Sequence, residues 1–89
     1  MSIFVVFRVL DSSKLEAALT REFPDDHRKL ADGQYLVSSK GSAKAVSDKL
    51  GISDNTSGAA IVFKMLNYFG RAPADIWDWI KVKAEQTDG

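Results

Sequence analysis

The chain contains no cysteine and a single histidine, His27. The first absence excludes disulfides, thiolate nucleophiles and cysteine metal sites, and the second excludes a histidine cluster. Any chemistry would fall to carboxylates, hydroxyls or backbone groups. Net charge is lacking as well: 12 Lys and Arg balance 12 Asp and Glu, so no long-range field steers the chain toward nucleic acid, an anionic membrane or acidic substrates. Long apolar runs are missing too. The opening MSIFVVFRVL stops at Asp11, too short to cross a bilayer and without the basic start and small-residue cleavage site of a signal peptide. A cytoplasmic protein with no membrane association is expected. Gly33, Gly41, Gly51, Gly58 and Gly70 are scattered, each suited to a turn or cap, so no phosphate-cradling loop is present. With no nucleophile elbow or triad either, no catalytic residue and no cofactor is assigned.

What is present patterns well. Eighty-nine residues make one domain, 1–89, with a single core and a thin stability margin. Ile3 to Leu10 is an apolar run broken only by Arg8, as expected of a central strand. Ser13 and Glu16 have the spacing of a capping box, and Leu15, Ala18, Leu19 and Phe23 recur at helical intervals before Pro24 stops the helix. HRKL and QYLVSS flank Asp32-Gly33, a pair that predicts a two-residue type I′ hairpin turn. Ser42 suits the N-cap of a second helix with Val46 and Leu50 on its apolar stripe, and Gly51 suits the left-handed position after it. After the polar loop SDNTSG, Ala59 to Leu66 reads as another strand. Pro73 and Asp75 suit the first turn of a last helix, from about Ala74 to Glu85.

The order strand, helix, two hairpin strands, helix, strand, helix predicts an α+β fold, a ferredoxin-like βαββαβ sandwich with an added C-terminal helix. Two similar stretches, VLDSSKLEAAL and LVSSKGSAKAV, run from strand through Ser-Ser-Lys into helix, as two related βα units would. Alternation along the first strand separates Ile3, Val5, Phe7 and Val9 from Phe4, Val6, Arg8 and Leu10. The first set, wholly apolar, is expected to face the two core helices together with Ile61, Phe63 and Met65. The second face would then carry Phe4, Val6, Tyr35, Val37 and Val62 with two cations, Arg8 and Lys64. Such a patch is too apolar to stay bare on a small monomer, so Phe4, Tyr35 and Val62 are candidate partner-binding residues.

Both tryptophans lie in YFGRAPADIWDWIK. Ile76, Trp77, Ile80 and Ala84 share a helical stripe, while Trp79 and Val82 sit off it. Trp77 is expected to pack inward and Trp79 to meet a second copy or a partner, although packing alone accounts for a tryptophan as simply. Asp11, at the end of the first strand, is the carboxylate best placed for a metal, and it suits a helix cap equally well. Asp25, Asp26 and His27 form a polar cluster able to supply acid, base or ligand, which a solvated loop explains as readily. Phe4 and Tyr35 with Arg8 and Lys64 have the aromatic-plus-cation make-up of sheet faces that stack single-stranded bases.

The run QYLVSSKGSAKAVSDKLGI, a loop, the strand AAIVFKML and a Trp-bearing end together resemble the small ferredoxin-like proteins related to the CRISPR-associated spacer-integration dimers, over most of residues 34–80. The resemblance implies a homodimer built through the sheets, with nuclease or nucleic-acid-binding ancestry. Metal-dependent members of that family carry an acid within or after the first strand, a position that only Asp11 matches. The leading expectation is a small interaction or dimerisation module without catalytic activity, whose partner is a second copy or another protein. The alternative is a nucleic-acid-binding or metal-dependent nuclease dimer using Arg8, Lys64 and Asp11.

Overall fold

The computed structural model describes residues 2–10, 14–66, 70, 71 and 73–87, with side chains through residue 83. In chain order it contains β1 (Ser2–Arg8), α1 (Lys14–Glu22), β2 (His27–Ala31), β3 (Gln34–Ser39), α2 (Ala43–Leu50), β4 (Ala60–Lys64) and α3 (Ala74–Thr87). The fold is α+β, a four-stranded antiparallel sheet with three helices and strand order β2-β3-β1-β4. β1, the most apolar strand, lies inside the sheet, as a run without polar alternation requires. α1 and α2 each connect strands two places apart. Both pack on one face, where Leu15, Ala18, Leu19, Val46 and Leu50 meet Phe4, Val6, Tyr35 and Val37 in the main core.

Local signals act where the residue types place them. Ser42 caps α2, its hydroxyl accepting from the Ala45 N–H at 3.1 Å, and Gly51 ends it at φ 76°. That left-handed geometry lets the Gly51 carbonyl accept from the Ser57 N–H at 2.8 Å, closing the neck of the loop before β4. The β2–β3 turn departs from expectation. Only Gly33 has positive φ, 78°, and the register slips between Lys29 and Ala31, so the turn is not type I′. The neighbouring strand accounts for this: the Arg8 N–H donates to the Gly33 carbonyl at 2.8 Å, and the Arg8 guanidinium holds Asp32 at 3.1 Å. Ser13, the expected partner of Glu16 in a capping box, lies outside the described residues.

The faces of the sheet are reversed from the assignment by alternation. Phe4 and Val6 are fully buried under α1 and α2, while Ile3, Val5 and Phe7 point to the outer face. In the middle of β1 both sets are apolar, so only the terminal Arg8 broke the tie. At the strand's end Arg8 finds Asp32 of the β2–β3 turn instead of the core, so its charge says nothing about the face.

α3 covers part of the outer face. Its Ile76 and Ile80 meet Ile3 and Leu36, with Trp77 and Trp79 both partly buried against the same cluster. At 100° per residue, the two tryptophans fall on opposite flanks of the Ile76–Ile80 line. The expected contrast between an inward and a displaced tryptophan is therefore replaced by two rings straddling one stripe.

The reversed faces make a testable contrast. Phe4→Ala should lower stability by about 3–5 kcal/mol, as for truncation of a fully buried ring, and Phe7→Ala by less than half as much. Urea unfolding of the two variants checks this; a larger loss at Phe7 would restore the other assignment.

Candidate interaction surface

α3 leaves the β4 side of the outer face uncovered. Phe7 of β1 and Ile61 and Phe63 of β4 point outward there and remain 42%, 49% and 50% exposed. Register sets them side by side: Phe7 lies opposite Ile61, and Val5 opposite Phe63. The Phe7 and Phe63 rings meet edge to face, centroids 6.2 Å apart at 85°, an arrangement favoured by the ring quadrupoles. The patch is therefore apolar and contiguous, its two rings in contact. Leu66, just beyond β4, is 88% exposed.

The position of α3 is fixed by charge as well as by packing. At its start Asp75 accepts from Arg28 of β2, and two turns later Lys83 reaches Asp26 at 2.7 Å. An acid in the first turn also suits the positive end of the helix dipole. The two pairs have opposite polarity, so turning the helix end for end would set like charges together. They hold α3 toward the β2 side of the sheet, away from the patch. Lys83 also lies over the Trp79 ring, 5.9 Å from its centroid.

The residues singled out from sequence are distributed differently. Phe4 and Tyr35 are 0% and 1% exposed, and Val62 packs against the same helix-covered core, so these three form no open partner-binding face. Tyr35 keeps a buried hydroxyl without a hydrogen-bond partner among the described residues, and burial raises its pKa above 10.0. Trp79 sits at the partly exposed flank of α3. Arg8 holds Asp32, its own side chain only 15% exposed. Arg8 lies opposite Ala60 and exposed Lys64 lies opposite Phe4, which separates the two cations by roughly 13 Å along the strand.

Cations and open aromatics consequently occupy different faces, and the base-stacking platform expected of Phe4, Tyr35, Arg8 and Lys64 is not assembled. Asp11 lies outside the described residues. Asp26 is tied to Lys83, and the His27 Nδ1–H donates to the Phe23 carbonyl at 2.6 Å, so both join structural contacts. Among the described residues no three acids or histidines gather as a metal site. A shallow cleft of about 380 Å³ opens beside Phe23, Ser39, Lys40 and Lys49, with the Lys49 ammonium 5.5 Å from the Phe23 ring centroid. Its acids Glu22 and Asp26 hold Arg21 and Lys83.

Alternation predicts Phe7, Ile61 and Phe63 in the interior, and the structure places them on the outer face. Alternation carried no signal for the opposite choice, because both faces of β1 are apolar and either could seat the stripe of α3. Comparison with known proteins adds no name to this geometry: no protein-family profile matches the chain, and no curated protein or solved structure is similar enough to count as a match.

The α3 clamp predicts a specific pH dependence. The Arg28 hydrogen bond lowers the Asp75 pKa below its ordinary 3.8; a depressed carboxylate contributes stability above its unfolded pKa and loses it as pH falls through the folded value. The difference in urea midpoint between the native protein and Asp75→Asn should be constant above about pH 5 and shrink in acid. A difference that widens in acid would give the clamp the wrong sign.

Proposed function

We propose that the protein is a non-catalytic interaction module of the cytoplasm, a ferredoxin-like βαββαβ sandwich extended by a C-terminal helix, that binds a protein partner or a second copy through the uncovered side of its outer sheet face. One observation carries the reading: Phe7, Ile61 and Phe63 form a contiguous apolar surface, half exposed, beside a helix clamped away from it. Clustered exposed aromatics rimmed by polar residues mark interaction sites on small domains. The ferredoxin-like designation is supported by β1 and β3 lying centrally and by both strand-to-strand helices packing on one face. The non-catalytic part is supported by the use made of the acids. Glu16, Glu22, Asp26, Asp32, Asp48 and Asp75 each hold a lysine or arginine in an ion pair. No described helix is long and apolar enough to cross a membrane.

The test is a doubly substituted protein, Phe7→Ser with Phe63→Lys, whose native fold is checked by circular dichroism. It should lose the associations, with itself or with other proteins, that the native chain shows in sedimentation velocity and in pull-down from cell extract. Retention of every association would overturn the reading.

A further inference from the structure

The apolar patch borders a sheet edge, and the two edges of this sheet are built differently. β2 is defended. Three consecutive polar residues, His27, Arg28 and Lys29, are engaged with Phe23, Asp75 and Glu16, and the register slip against β3 distorts the strand. Such charges and irregularities are how natural sheets prevent edge pairing. β4 has none of them: AIVFK contains no proline and a single charge at its end, and its pairing with β1 is regular.

The direction of its free backbone groups follows from register. Met65 donates to the Ile3 carbonyl at 2.8 Å and Val9 to the Ala59 carbonyl at 3.0 Å. Bonded and non-bonded pairs alternate along an antiparallel ladder, so Ile61 and Phe63 also bond to β1. Ala60, Val62 and Lys64 therefore direct their N–H and C=O groups outward, and no described strand lies beyond them.

Resting on the interaction reading above, we infer that the occupant of this edge is a second copy of the chain. β4 pairs antiparallel with the partner's β4 about a two-fold axis at Val62, and the two sheets become one of eight strands. In that register Val62 bonds the partner's Val62, and Ala60 and Lys64 bond the partner's Lys64 and Ala60, using every outward group. Ile61 and Phe63 fall opposite each other at the closer, non-bonded positions, so the patches of both copies join across the axis.

Charge permits the register, because Lys64 faces alanine and no like charges are opposed. The strand is thus complementary to itself, as a two-fold interface requires. One undefended edge per chain also stops the association at two. Three half-exposed apolar side chains supply roughly 300 Å² per copy against the ~800 Å² per partner of a standard interface, so the dimer is weak and depends on concentration.

Sedimentation velocity and amide hydrogen exchange of the native protein, each in dilute and concentrated solution, test this directly. The expected result is a monomer–dimer equilibrium in which the amides of Ala60, Val62 and Lys64 slow by roughly tenfold or more on concentration, while those of Ile61 and Phe63, already bonded to β1, change little. Val62→Pro removes an outward N–H and no bond to β1, and should weaken the dimer by roughly tenfold. A monomer at all concentrations overturns the inference, as does a dimer whose three edge amides stay unprotected. The interaction reading outlives either outcome if Phe7→Ser with Phe63→Lys abolishes the association that remains, and falls only if that association persists.

Discussion

A sheet of four strands is wider than a helix. Strands about 4.8 Å apart make a surface roughly 14 Å between its outer strand axes, whereas a helix with its side chains is about 10–12 Å across. Two helices, α1 and α2, cover the inner face, and the main core forms there. α3 alone serves the other face and cannot cover it whole. Its placement then decides which strands of the outer face stay bare, and the apolar patch follows from that placement.

Packing and charge agree on where α3 goes. Ile76 and Ile80 find Ile3 and Leu36, while Arg28 and Asp26 hold Asp75 and Lys83. Ion pairs at the surface contribute little stability individually, and only Lys83–Asp26 is partly buried, so the larger effect of the two pairs is on direction and register. Apolar side chains would tolerate several seats along the sheet; two pairs of opposite polarity favour one. The tryptophans complete the seat by widening the apolar contact on both flanks, which accounts for two such rings one residue apart.

Most of the fold was legible in the sequence because its signals are local. Ser42, Gly51 and Pro24 mark helix ends through their own geometry, and the apolar runs of β1 and β4 identify themselves. The hairpin was half legible: Asp32-Gly33 located the turn, but its type depended on Arg8, a residue distant in sequence that bonds to it. The surface was hidden for a related reason. With apolar side chains on both faces of β1, alternation separates Phe4 from Phe7 without saying which is inside. That choice belongs to tertiary packing, and the strand-end cations pointed the wrong way. Trp79, expected off the apolar stripe, flanks it as Trp77 does; Phe7, Ile61 and Phe63 became visible only once α3 had a position.

The place of β1 in the sheet has a consequence for how the chain acquires its fold. It is synthesised before both of its neighbours in the sheet, β3 and β4, at residues 34–39 and 60–64. Until those segments exist, IFVVF has no partner, and it has the composition of sequences that pair with copies of themselves: strongly β-forming, uncharged and free of proline. Contacts this distant along the chain also close slowly. This strongly apolar segment is thus made before the strands that shelter it, and the nascent chain passes through a period in which its future centre is exposed and adhesive.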